Sequence, residues 1–117
     1  MVQQLSLVFA AVVLLGYMGL YQSHARFLCW TNWFNRDKPT GTGDYEDLLS
    51  LQKAFPGQIC SRPADIEAQT ADDEVLAERT HQQFYAYNTR LGFICRNKDQ
   101  KNERCFDYEV RFKCPCG

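Results

Sequence analysis

The 117-residue sequence has no Asn-x-Ser/Thr sequon, no Cys-x-x-Cys pair, no internal repeat, no Ser/Thr/Pro-rich tract and no heptad pattern. The missing sequon excludes ordinary N-glycosylation. Without repeats or heptads, solenoid and coiled-coil architectures are excluded as well. Histidine is scarce, and only His81 lies beyond residue 25. Cys114-Pro115-Cys116 is also too tight for two ligands of one tetrahedral metal, so no zinc centre is expected. Neither G-x-S-x-G nor H-E-x-x-H occurs. His81, between Thr80 and Gln82, reads as a surface residue, and Asp72-Asp73-Glu74 as a solvated acidic run. The sequence therefore predicts no enzyme. The charges nearly cancel, with a net of −1. Arg96, Lys98, Lys101 and Arg104 form a mild basic cluster that reads as the rim of a turn. A nucleic-acid binder would be expected to carry a basic face or stripe.

One apolar run, Leu5 to Leu20, is present. It is shorter than the roughly 20 apolar residues that span a bilayer. No charged stop-transfer flank follows it. Ser23-His24-Ala25 places small residues at the −3 and −1 positions of a signal-peptidase cut. The segment before the run, Met1–Ser6, carries no Lys or Arg, which is atypical. The reading is a signal peptide over 1–25, cut after Ala25, and a secreted domain over 26–117. An uncleaved membrane anchor is the rival.

All six cysteines, Cys29, Cys60, Cys95, Cys105, Cys114 and Cys116, lie in the second part. An even count behind a secretory leader reads as a disulfide framework. A chain of this length makes one domain whose core alone gives modest stability. Arg26–Phe34 reads as extended and Asn35–Gly43 as a turn-rich loop. Asp44 is placed to cap a short helix over Tyr45–Ala54, with Leu48, Leu49 and Leu51 partly buried, ended by Pro56-Gly57. Strands are expected at Ile59–Arg62, Ile66–Thr70, Phe84–Tyr87 and Leu91–Arg96. Ala71–Glu78 is expected to be exposed, with one helical turn. Tyr108, Val110 and Phe112 alternate with Glu109, Arg111 and Lys113, the clearest half-buried strand. The fold class is a small mainly-β, disulfide-rich single domain with one short helix.

Three separated blocks follow one family pattern. The first runs from Trp30-Thr31-Asn32-Trp33-Phe34-Asn35-Arg36-Asp37-Lys38-Pro39 to Gly43-Asp44-Tyr45-Glu46. The second is Ile59-Cys60-Ser61-Arg62-Pro63 with Ile66-Glu67-Ala68. The third is Gly92-Phe93-Ile94-Cys95-Arg96-Asn97-Lys98-Asp99-Gln100 with Cys105-Phe106-Asp107-Tyr108-Glu109-Val110-Arg111-Phe112. Together they resemble the WxxW (CysD-type) domain of gel-forming mucins. With six cysteines rather than about ten, and Ala68 where mucin copies carry a cysteine, the chain is most similar to the cartilage intermediate layer protein type.

Trp30 and Trp33 alone read as two core aromatics. The resemblance adds W-x-x-W as an acceptor pattern and implies C-mannosylation of Trp30. Asn35, Asp37, Asp44 and Glu46 alone read as a helix cap and solvated neighbours. The resemblance implies instead a structural calcium held by these four, with Asn97, Asp99 and Asp107 as further ligands. Six cysteines allow 15 pairings. Cys95 and Cys105 flank a polar loop. Cys29 and Cys116 lie near the two ends and look like an added pair, which leaves Cys60 with Cys114. A Cys114–Cys116 link and an intermolecular bridge through Cys116 are the alternatives.

The resemblance implies an extracellular matrix or mucus-type structural and interaction module. Its partners would be matrix or mucus proteins and a weak homodimer, with no nucleic acid and no membrane after leader cleavage. Phe27, Trp30, Phe34, Tyr45, Phe84, Tyr85 and Tyr87 are the aromatics available for such a surface. The alternative is a soluble secreted effector (host-defence, venom or signalling) on the same scaffold.

Overall fold

The computed structural model describes residues 27–116; the apolar run and the cut expected after Ala25 lie outside the described residues. In chain order the strands are β1 (Leu28–Trp30), β2 (Gly43–Asp47), β3 (Asp65–Thr70), β4 (Ala86–Asn88), β5 (Gly92–Arg96) and β6 (Tyr108–Pro115). One helix, α1 (Leu48–Ala54), follows β2, and 3-10 turns occupy Ala77–Arg79 and Asn97–Asp99. The molecule is thus mainly β with one short helix, as the sequence predicts.

The alternating strand organises the rest. Tyr108, Val110 and Phe112 of β6 point inward and are fully buried, while Glu109, Arg111 and Lys113 stay half-buried. β6 is the centre of a three-stranded antiparallel sheet ordered β1-β6-β3. A second antiparallel sheet is ordered β2-β5-β4. Between them lies an aromatic cluster. Phe93 has ring centroids 4.7 Å from Tyr108, 4.8 Å from Phe84 and 5.3 Å from Tyr87. Such offset and edge-on pairs each contribute about 0.5–1.5 kcal/mol beyond area burial. The Tyr108 hydroxyl lies 2.7 Å from Gln82 Oε1 and 3.0 Å from Thr80 Oγ1, so its buried polar end is satisfied.

Disulfides join Cys29 to Cys116, Cys60 to Cys114 and Cys95 to Cys105. The first two tie β1 and the segment around Cys60 to the end of β6. The third closes the polar loop after β5.

Three local expectations differ from the structure. Asp44 does not cap the helix: it lies in β2 opposite Cys95, and the cap is Asp47, whose side chain accepts from Ser50 N at 3.1 Å. Pairing of Gly43–Asp47 with β5 outweighs the local helix signal. Leu48 and Leu51 are buried, but Leu49 is 70% exposed because it faces away from β2 and β5. Ile59–Arg62 is irregular rather than a strand. It is held by the Cys60–Cys114 bond and by Gln52 Nε2 donating to Cys60 O, with no neighbouring strand to pair with. Of the aromatics available for a surface, the structure buries Phe34 and packs Phe84 into the core cluster. Phe27 and Tyr85 are exposed, at 83% and 59%.

Gly92 needs its positive φ of 93°, and a Cβ there would stand 2.5 Å from Leu48 N and 2.8 Å from Glu46 O. Only glycine allows the start of β5 to pass this close to the β2–α1 junction.

Candidate functional site

Asp44 and Glu46 lie two residues apart on β2, so their side chains share a face. That face turns inward, and both carboxylates are fully buried. Glu46 is held by the loop before β2: Arg36 N donates to Oε2 at 2.8 Å and Asp37 N to Oε1 at 3.4 Å. The Arg36 guanidinium is turned elsewhere, donating twice to the Tyr45 carbonyl through Nη2 at 2.9 Å and Nε at 3.2 Å. Asp44 Oδ2 accepts the Tyr108 backbone N–H at 2.6 Å. Its other oxygen, Oδ1, is buried with no hydrogen-bond partner.

Among the described residues, no ion pair reaches either carboxylate. Burial therefore raises both above the usual carboxylate range. For Asp44 the nearby charge of Asp107, and less so that of Asp37, pushes the same way, against the Tyr108 N–H and the neighbouring Glu46 side chain. For Glu46 the Asp44 charge adds to burial, against the Arg36 and Asp37 amides and the Arg36 charge. Two buried carboxylates with no cation to balance them are costly to ionise.

The neighbours extend the oxygen set. Asn35 Nδ2 donates to Asp107 Oδ1 at 3.1 Å, joining the loop before β2 to the start of β6. Asn35 and Asp37 are exposed, and Asp107 is half-buried. Asp44 and Glu46 are thus the buried pair; Asp37 and Asp107 are near enough for their charges to act on Asp44, and Asn35 is joined to Asp107. Asn97 and Asp99 are used elsewhere. Asn97 Oδ1 accepts from Cys105 N, its Nδ2 donates to the Thr40 and Gly41 carbonyls, and Asp99 pairs with Arg96 at 2.8 Å.

No group of three or more His, Cys, Asp or Glu side chains among the described residues converges as a preformed metal cluster. A cation here would complete its shell from the Asn35 amide, backbone carbonyls and water. The donors are all oxygen, and Asp44 Oδ1 is an orphaned buried acceptor. That chemistry fits a hard divalent ion such as calcium.

The two tryptophans meet on another side of the molecule. β1 ends at Trp30, and the irregular Thr31–Trp33 stretch brings Trp33 back beside it. Strand geometry alone would have placed the rings on opposite faces. Instead both stack on one cation: Arg111 Cζ lies 4.7 Å from the Trp30 ring centre and 4.6 Å from that of Trp33. Glu67 steadies Arg111 from β3 with an ion pair of 2.8 Å, and Lys113 Nζ stands 5.6 Å from the Trp30 ring. Sequence reasoning did not single out Arg111. Its signal was only its outward position in the alternation of β6.

The chain matches the family model described as the mucin-2 protein WxxW repeating region, over residues 30–114. It is 41% identical over 91 residues to human cartilage intermediate layer protein 2, covering 74% of this chain and 7% of that protein. It is 38% identical over 85 residues to human cell migration-inducing and hyaluronan-binding protein, covering 73% and 6%. To human mucin-2 it is 33% identical over 89 residues, covering 73% and 2%. The chain thus spans under a tenth of the length of these relatives.

Proposed function

The chain belongs to the mucin-2 WxxW family, and we propose that it serves as a secreted, non-catalytic structural and interaction module of extracellular matrix or mucus, stabilised by calcium and weakly self-associating. The single observation that carries the calcium reading is the buried Asp44–Glu46 pair with Asp44 Oδ1 unpartnered. A divalent ion over that pair would supply the missing positive charge, and Asp37, Asp107 and Asn35 would complete its protein ligands. The names of the relatives support the matrix and mucus setting: one is a cartilage layer protein, one a hyaluronan-binding protein and one a mucin.

Catalysis is not part of the reading. Asp44 and Glu46 are fully buried, out of reach of a substrate, and His81 stands exposed at a positive φ of 63° in a turn. Trp30 is taken as a C-mannosyl acceptor, its ring held against Arg111. The segment 1–25 is taken as a leader removed after Ala25. No helix among the described residues is long and apolar enough to cross a membrane.

Native mass spectrometry of the secreted protein, with calcium and after chelation, tests the whole reading. The expected species starts at Arg26, is lighter by six hydrogens, carries one calcium and forms a reversible dimer, with a hexose on Trp30. A monomer that takes up no calcium would remove both the metal and the self-assembly from the reading. A mass that begins at Met1 would remove the leader.

A further inference from the structure

The buried Asp44–Glu46 pair uses one face of β2; the residue between them, Tyr45, faces a different feature. Tyr45 lines an open cavity of about 650 Å³ together with Thr42, Arg96, Lys98, Lys101 and Glu103. That volume lies in the range of sites for small ligands, roughly 300–1,000 Å³. We infer that this cavity is a binding site for an acidic glycan, one whose sugar rings carry sulfate or carboxylate groups. The inference rests on the proposed role as an extracellular interaction module and names the class of partner.

The charge argument is local. The whole chain carries a net charge of −1, so no general attraction draws polyanions to it. At the cavity the balance reverses. Arg96 is fixed in place: Nε and Nη2 pair with Asp99 at 2.8 and 3.1 Å, and its Cζ sits 4.1 Å from the Tyr85 ring centre. This leaves Nη1 as a donor outside both contacts. Lys98 and Lys101 are exposed and form no ion pair among the described residues. Glu103 is the opposing charge on the rim, and Asp99 is already spent on Arg96. With the Arg96–Asp99 pair neutral, the two free ammonium groups outnumber the single acid that faces them, Glu103.

The shape of the polar surface selects among anions. Tyr45 is the only apolar side chain lining the cavity among the described residues. One aromatic face among cations suits a pyranose, which lays its C–H side on a ring while its acidic substituent reaches a charged donor. A peptide would need further apolar pockets for its side chains, and a nucleic acid would need a row of stacking rings. The framework beneath is cross-linked. Asn97 Nδ2 donates to the Thr40 and Gly41 carbonyls, Cys105 N donates to Asn97 Oδ1, and the Cys95–Cys105 bond closes the loop. A pre-formed loop loses little freedom on binding.

The test is an amide NMR titration of the oxidised protein, produced from the full chain, in physiological salt. The probes are a sulfated tetrasaccharide, a carboxylated unsulfated one, a neutral one and an octaglutamate peptide. The expected result is saturable shifts centred on Tyr45 and Arg96–Lys101 with at least one acidic saccharide, and none with the neutral one. Comparing the two acidic probes tells whether sulfate or carboxylate is the group recognised. The Lys98→Gln/Lys101→Gln variant should bind about tenfold more weakly or worse, as expected for loss of charged hydrogen bonds, with an unchanged melting temperature. No saturable shift, shifts centred elsewhere, or octaglutamate binding as tightly as the saccharides would overturn the inference. Calcium uptake and dimer formation are read separately by mass, so failure here is distinguishable from failure of the module reading.

Discussion

Asp44 accepts the backbone N–H of Tyr108 at 2.6 Å, a bond between residues 64 apart in sequence. It joins β2, in the opening block of the family pattern, to β6, in its closing block. The same carboxylate leaves its second oxygen buried and unpartnered. One residue thus ties the two sheets together and leaves a buried carboxyl with no ion-pair partner among the described residues.

The pH dependence follows from that imbalance. Asp44 and Glu46 are both raised in the folded state, chiefly by burial. A raised carboxyl binds more protons folded than unfolded, so its contribution is present below the unfolded value and lost as pH rises through the folded one. In chelator the domain should therefore lose stability as pH climbs above the ordinary carboxylate values of 3.8 and 4.5. With calcium the trend should flatten or reverse, because the ion stabilises the charged forms. Urea midpoints at a series of pH values, with and without calcium, measure both.

How much of this was legible in the sequence differs by residue. Tyr108, Val110 and Phe112 announced β6 because a period of two is a property of the strand itself. Asp44 and Glu46 were singled out as oxygen ligands, yet Asp44 was also read as a helix cap. The pairing of β2 with β5 rules out the cap, and that pairing is non-local. Ile59–Arg62 carried an apolar, strand-like pattern but found no partner strand. The Trp30–Arg111–Trp33 stack depends on a break in β1 after Trp30 and on the register of β1 with β6, neither of which spacing encodes.

Arg111→Ala should remove the cation from between both indoles and leave Glu67 without its partner. The expected loss is about 1–2 kcal/mol, typical of a partly desolvated cation–π contact. Arg111→Lys should recover only part of it, since an ammonium cannot stack as a plane between two rings. Urea unfolding followed by tryptophan fluorescence reads the stability and the indole environment together.

Gly92→Ala should destabilise by about 2–4 kcal/mol, from the positive φ and the overlap with Leu48 N and Glu46 O. Gly41→Ala is the control, because a Cβ there meets nothing within 4 Å. The two variants are compared by urea midpoint and by secreted yield.

The disulfides should rank by the loop each closes. Replacing Cys95 and Cys105, 10 residues apart, by serine should cost roughly 3 kcal/mol in the chain-entropy model. Replacing Cys29 and Cys116, 87 apart, should cost roughly 4–5 kcal/mol. Equilibrium unfolding of the paired variants, each with its remaining bridges intact, gives the two values.

The most direct test of the central claim is the melting temperature of wild type and Asp44→Asn, each in calcium and in chelator at neutral pH. Wild type should melt higher in calcium than in chelator. The variant keeps an acceptor for Tyr108 N but removes one buried charge, so it should melt at the same temperature in both buffers, at or above chelated wild type. Equal wild-type melting temperatures in calcium and chelator would contradict the account.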